Sequence, residues 1–542
     1  MIRTEPLPSE DRSMRNARSI LVTTCTILVS GVFLGFMTDG YVQATASGTY
    51  SYVHLFTEVL DEVKRNYVDD IDAKDLVHSS IRGMMRDLDA HSVFLDETAY
   101  GELRIDTKGS FGGLGIVISI RDDFLTVMSP MEGTPAWQKG IEAGDRIVAI
   151  EGEPTDGITT EEAVTKLRGP KGTDVTITIA RAGISDPFDF TITRDVIAIK
   201  SIPFAGVVGD RIGYVRLVNF SEVASEELAL AMEDLLDQDV RAMILDLRNN
   251  SGGLLEQAVA VADLFVEKGK LVVYTKGRHP SDSREWAAPH RSILGEIPLV
   301  VMVNDGTASA SEIVSGAIQD YDIGVVLGVS TYGKGSVQTV RNLSSGTALK
   351  LTTALYYTPS GRSIHRPEHR SGKSASDEDE EPEHFKTESG RPIEGGGGIK
   401  PDVVVEAPEA SRLLIDILRK DLFFKFAVEA TSSDRDLGDR PRVSDEMLYE
   451  FSQHLREAEI EFDDVELEED REYIVSAISR QIATKLHGME AGYRFGLEAD
   501  HQLGETIDLL DGVLTKDDLW VKVDETRALA AADPERIVTL TE

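Results

Sequence analysis

The sequence predicts an α/β domain on a largely parallel sheet, with a compact β module ahead of it and helical regions at either end. Three observations carry this. From Asp195 onward, short apolar strands alternate with amphipathic helices, the texture of a buried parallel sheet. From about Gly109 to residue 190, a Gly-rich stretch leads into short β-branched strands with one helix among them. Beyond Ala410 the apolar residues recur at helical spacing.

Taken in order, residues 1–18 form a tail bearing Arg12, Arg15 and Arg18. Ser19 to Thr38 is an uncharged run of twenty residues. As a helix it reaches about 30 Å, enough to cross a bilayer. The arginines before it and Asp39 after it put the tail in the cytoplasm and the bulk of the chain outside. Ala44-Thr45-Ala46 offers a signal-peptidase site, so a retained anchor and a cleaved signal both stand. The single cysteine, Cys25, lies in this run and leaves the remainder without a disulfide.

Residues 47–105 read as a helical region, including Tyr50 to Tyr67 and Ala73 to Leu88. Too small to stand alone, it is expected to pack on the next module or on a second copy of the chain, a homodimer. Residues 106–190 are the β module. Residues 191–407 are the α/β core, interrupted at 365–395 by an acidic, exposed insertion containing Asp377 to Glu381. Residues 408–542 form a C-terminal helical region.

Charge narrows the partners. Fifty-six basic against 94 acidic residues give a net charge of −38. Such a surface repels phosphate backbones, which argues against nucleic acid, and anionic membrane surfaces are disfavoured likewise. No cluster has metal-ligand spacing, so no metal and no organic cofactor is expected.

Val301 to Asp320 is the most informative stretch. An apolar strand ends in small residues and a helix begins near Ser309. A serine there has free backbone N–H groups and the positive end of a helix dipole beside it. That suits a nucleophile whose product oxyanion needs donors. A plain helix cap is the ordinary alternative. The partner base is sought in Thr331 to Gln338, where Lys334 stands between Gly333 and Gly335. To act, it must be neutral at working pH. A fall from about 10.4 to about 7–8 corresponds to roughly 4 kcal/mol of differential solvation, which burial can impose. A solvated loop lysine is the common alternative. A phosphate loop is rejected because Gly335 stands where Ser or Thr would hold Mg²⁺. Gln338, four residues on, is a candidate to orient the amine, provided a local turn shortens strand spacing. Asp246 to Gly253 follows a central strand, and its two glycines permit close backbone approach and a second oxyanion donor.

The segments LDLRNNSGG, NDGTASASEI and YGKGSVQ, in that order, resemble the C-terminal processing peptidases, also called tail-specific proteases. LDAHSVFL, YYTPSGRSI and GGGIKPD add to the resemblance, which spans about Phe56 to Val405. It implies a crotonase-like α/β core and a Ser–Lys dyad: nucleophile Ser309, base Lys334, orienting amide Gln338. The implied oxyanion hole uses backbone N–H groups of Ala310 and of Gly252 or Gly253. The β module looks like the family's PDZ domain, with Gly112, Gly113, Leu114, Gly115 and Ile116 as its carboxylate-binding loop. Arg168 is the position through which the family links PDZ occupancy to the catalytic domain. An ordinary helix-end arginine is its alternative reading. Ser251 and Ala90 stand where the family usually has proline.

The expectation is therefore an exported serine endopeptidase acting on loosely folded proteins recognised by their C-termini, tethered to the membrane or released from it. A PDZ ligand or adaptor is a candidate activator. The alternatives are a non-catalytic PDZ adaptor with the same fold and a crotonase-type acyl-CoA enzyme.

Overall fold

The computed structural model describes residues 48–366, 383–432, 437, 438 and 440–532. The tail, the apolar run with Cys25, the Ala44–Ala46 site and Asp377 to Glu381 lie outside the described residues. Among the described residues, no helix is long and apolar enough to cross a membrane.

The chain falls into two compact units, the first ending at Leu88 and the second beginning at Asp89. The first holds helices over residues 48–66 and Ala73–Arg86, the latter capped by the Asp72 side chain on Lys74 N. Tyr50, Tyr52, Val53, Leu55 and Phe56 are exposed on its first helix. The helical region expected over 47–105 is thus divided, because Asp89 to Lys108 belongs to the second unit.

The second unit is centred on a six-stranded sheet. Phe204–Val208 runs antiparallel to Ile212–Arg216. Ala242–Asp246, Leu299–Val303, Val325–Gly328 and Val403–Val404 then follow in parallel. Alternate residues of each strand face opposite layers. Met243 and Leu245 pack with Leu228, Met232, Val261 and Ile313 of the crossover helices. Ala242 and Ile244 pack instead with Leu503, Leu510, Val513 and Val523 of the C-terminal helices. Burial on both faces explains why these strands read as continuous apolar runs. Part of the C-terminal region is therefore the sheet's second layer.

A second, antiparallel sheet was not expected. It joins Val93–Leu95, Ala348–Tyr357, Leu271–Gly277 and Glu285–Ala287, with Ser336–Asn342 paired to the long strand. The segment His384–Lys386 pairs with Pro392–Glu394 as a hairpin. Arg391 ties that hairpin to Asp322 and Asp402, so the described part of the acidic insertion, residues 383–395, carries a hairpin while seven of its residues stay exposed.

The β module is a six-stranded sheet beginning at Ile116–Arg121, with the helix Thr160–Leu167 beside that strand. Its last strand, Phe188–Thr193, carries the module past residue 190, and Ser110–Gly113 pairs with Asp195–Ala198 as a separate two-stranded sheet. The C-terminal helices Arg412–Arg419 through Arg471–His487 have their own core around Phe426, Phe451 and Ile478. Asp421, at φ 52°, breaks what the periodicity alone reads as one helix. Arg121–Asp421 and Lys425–Asp122 ion pairs hold these helices to the β module.

Leu510 is fully buried beneath the parallel sheet. Leu510→Ala is expected to destabilise the second unit by about 2–5 kcal/mol, read as a lower urea midpoint at unchanged m-value.

Candidate active site

The strand Leu299–Val303 delivers the chain to a tight turn. Thr307 Oγ1 accepts from Asn304 N and donates to the Leu247 carbonyl, both at 2.9 Å. Ser309 follows at φ 56°, ψ −113°. A non-glycine residue there is strained by roughly 1–3 kcal/mol, a cost the surroundings must hold in place. The helix Ala310–Asp320 then begins and every residue in it is buried. Ser309 is half-buried, and the N–H of Ala310 has no hydrogen-bond partner among the described residues.

The Asp246–Gly253 turn lies against this elbow. The Asn250 carbonyl accepts from Ala308 N at 3.0 Å and from Ser311 Oγ at 2.9 Å, on either side of Ser309. Gly252 is at φ 101°, and a Cβ on it would meet Ser309 Cβ, Ala310 N and Ala308 O at 2.8–2.9 Å. Only glycine fits. The Gly252 N–H is committed to Asn250 Oδ1 at 2.9 Å. The Gly253 N–H has no partner among the described residues, so of the two glycines it is the one free to donate.

Lys334 enters through Glu312, whose side chain is fully buried. One carboxylate accepts from Ser309 N at 2.8 Å, Thr331 Oγ1 at 2.5 Å, Gly333 N at 2.8 Å and Lys334 N at 2.9 Å. Tyr356 Oη sits 3.0 Å from the Ser309 carbonyl and 2.5 Å from the Lys334 carbonyl. Elbow and lysine loop are therefore fastened twice. The glycines flanking Lys334 are required by crowding: a Cβ on Gly335 would lie 2.8 Å from His365, and one on Gly333 would lie 3.0–3.1 Å from Arg366 and Gly397. Burial lowers the Lys334 pKa, and the neighbouring Lys350 charge lowers it further, against the pull of Glu312. Burial lowers Lys350 too. Burial raises Glu312, despite its donors.

Nothing in the sequence singles out Lys350, and Tyr356 appears there only as the first residue of YYTPSGRSI with no role, since strand pairing across the second sheet is what brings them here. Glu312 did carry a signal, an acid at the third position of a helix.

Gln338 departs from expectation. Its amide nitrogen donates to Ser336 Oγ at 2.8 Å and lies 3.4 Å from Thr352 Oγ1. Strand pairing with Thr352 turns it to that side. Among the described residues, no hydrogen bond joins Gln338 to Lys334, nor the Ser309 hydroxyl to the Lys334 amine. Such contacts are often loose before substrate arrives. No group of three His, Cys, Asp or Glu residues among those described is placed to hold a metal.

In the β module, Gly112 passes so close to Gly169 O that a Cβ would lie 2.1 Å away. Gly113 continues the strand paired with Asp195. Gly115 takes φ 78° against Thr134. The N–H groups of Leu114 and Gly115 have no partner among the described residues, and Ile116 begins an edge strand that is paired on one side only, with Phe124–Pro130. That is a cradle for a carboxylate with an open edge for its chain. The Arg168 backbone N–H donates to Val164 O at 2.9 Å, but among the described residues its guanidinium bonds no helix-end carbonyl. It reaches Glu102 at 2.5 Å and stacks on Phe111. Glu102 shares the helix Glu97–Lys108 with Tyr100, whose hydroxyl donates to Asn342 Oδ1 at 2.7 Å on the strand that carries Gln338.

Residues 211–370 match peptidase family S41, and residues 126–181 match the PDZ domain family. A carboxy-terminal-processing protease of Bartonella bacilliformis is 38% identical over 396 residues, covering 72% of this chain and 84% of that protein. The carboxy-terminal processing protease CtpA of Bacillus subtilis is 32% identical, covering 65% of this chain and 76% of the relative. A solved photosystem II D1 C-terminal processing protease aligns at 28% identity and TM-score 0.35, over 65% of this chain and 92% of that one.

Two outcomes follow from the geometry. Glu312→Ala leaves the buried Gly333 and Lys334 N–H groups without an acceptor. About 1–3 kcal/mol per orphaned donor should appear as a lower melting temperature. Lys350→Met removes a like charge that holds the Lys334 pKa down. The neutral amine then forms only at higher pH, so the rising limb of the pH–rate profile should shift upward. An unmoved limb would show that Lys350 does not tune the amine.

Proposed function

This chain belongs to the carboxy-terminal processing proteases of peptidase family S41, and from that footing we propose that Ser309 and Lys334 are its catalytic pair. It is a serine-type endopeptidase with a PDZ domain. The observation that carries the residue assignment is Glu312, which fastens a strained serine elbow to a desolvated lysine loop.

The chemistry runs as acyl transfer. Lys334 Nζ, neutral, takes the Ser309 hydroxyl proton as Oγ attacks the scissile carbonyl. The N–H groups of Ala310 and Gly253 receive the developing oxyanion. Lys334 returns the proton to the leaving amine, and then accepts one from the water that hydrolyses the ester. Gln338 joins by rotating from Ser336 onto the amine when substrate arrives.

The parallel core is crotonase-like on this reading. The C-terminus of a loosely folded polypeptide binds at Leu114, Gly115 and Ile116 and extends along Ile116–Arg121 as an added strand. Arg168 and Glu102 relay that occupancy toward Asn342, which makes a resting state of low activity and a PDZ ligand or adaptor as activator natural parts of the scheme. The apolar run at 19–38 supports an extracytoplasmic, periplasmic location, either anchored or released after cleavage. The exposed apolar face of the 48–66 helix favours a homodimer. A non-catalytic adaptor is disfavoured, because it has no use for an amine kept from its charge.

Cleavage of unfolded casein by the full chain, beside Ser309→Ala and Lys334→Ala, tests the assignment. The parent should cut, and each variant should lose at least about 10³-fold in kcat. Lys334→Ala should also melt no lower than the parent, because a depressed lysine pKa weakens the fold at every pH below its ordinary range. Activity surviving in Ser309→Ala would place the nucleophile elsewhere.

A further inference from the structure

We infer that Asp500, contributed by the C-terminal helical region, is a positioning residue for the catalytic turn, an inference that rests on the assignment of Ser309 as nucleophile.

The turn from Asp246 to Gly253 has one end free of strand pairing, and something must fix it. Asp246, fully buried at the strand's end, accepts from Tyr214 Oη at 2.6 Å, Arg216 at 2.7 Å and Arg248 at 2.7 Å. Burial would raise its pKa, yet Arg248 and Arg216 hold it at about 2. Arg248 turns outward from this cluster and is the turn's own handle. Its guanidinium grips both oxygens of Asp500, Nη1 to Oδ1 at 2.9 Å and Nη2 to Oδ2 at 2.5 Å. Gln502 Oε1 accepts from the same Nη1 at 3.0 Å. Gln502 is itself locked by donating to the Val405 carbonyl at 2.7 Å. A paired fork of this kind fixes direction as well as distance.

Two residues beyond Arg248 stands Asn250, whose carbonyl holds Ala308 and Ser311 and whose side chain holds Gly252. Asp500 thus sets the turn, the turn brackets Ser309, and the same turn presents Gly253. Asp500 touches neither substrate nor nucleophile. Its action is through Arg248. The placement also gives the C-terminal region a functional part, because the active site is incomplete without it.

Asp500 has a second role that must be separated. It caps the helix His501–Leu509, accepting from Leu503 N at 3.1 Å. Serine is a good cap and cannot span a guanidinium, whereas glutamate can and caps poorly. The test therefore compares Asp500→Ser with Asp500→Glu in the full chain. Casein turnover and the rate of Ser309 labelling by a fluorophosphonate are read beside the parent and Ser309→Ala. Asp500→Ser should lower kcat and labelling together by about 10- to 100-fold at unchanged KM. Asp500→Glu should recover part of that loss. Equal rates in Asp500→Ser and parent, or Asp500→Ser outperforming Asp500→Glu, would overturn the inference. If Asp500→Ser does not melt cooperatively, Asp500→Asn, also a good cap and of the parent's size, replaces it under the same ordering. A parent that is not labelled, or a labelled Ser309→Ala, would sink the Ser309 assignment itself and this inference with it.

Discussion

The buried carboxylate of Glu312 is the constraint around which the catalytic region is arranged. An acid taken out of water is costly unless every oxygen is hydrogen-bonded. Here the donors come from two separate segments, the serine elbow and the lysine loop. Satisfying one side chain therefore obliges those segments to meet. The same burial that raises the pKa of Glu312 lowers that of Lys334. The environment that holds the site together is thus also the one that disfavours the charged form of its lysine.

Much of this architecture is legible in the chain. The core strands are readable because they are buried on both faces and so carry uninterrupted apolar runs. Ser309 and Lys334 are readable because their neighbours are small: glycine and alanine appear where backbones approach too closely for anything else. What stays hidden depends on contacts across long stretches of chain. Lys350 and Tyr356 look like ordinary strand residues until Ala348–Tyr357 pairs with Ser336–Asn342. Gln338 stands on the expected strand, yet its amide is turned by Thr352, a partner no local pattern names. The break at Asp421 is equally silent, since a positive φ at an aspartate leaves the apolar period intact. The division between Gly252 and Gly253 is decided by one side chain, Asn250, that accepts from the first and leaves the second.

The PDZ domain is held on two sides with unequal strength. The C-terminal helices meet it through ion pairs such as Arg121–Asp421 and Lys425–Asp122, which are partly solvated and weak individually. Arg168 meets Glu102 from the other direction, with an aromatic face beneath it. Ion pairs of this kind are exchanged for water at little cost, whereas the parallel sheet is sealed by Leu510 and its buried neighbours.

The pair between Arg248 and Asp500 spans 252 residues of chain. At synthesis rates of about 5–20 residues per second, the turn is made roughly 13–50 s before its anchor. Ser309 follows Arg248 by 61 residues, so over the last 191 residues of that interval the elbow has been made and Asp500 has not. If Asp500 sets the turn, a peptide-cutting enzyme surrounded by unfolded chains, its own included, becomes competent only late in its own production. On that footing the order of the chain is itself a clock on competence.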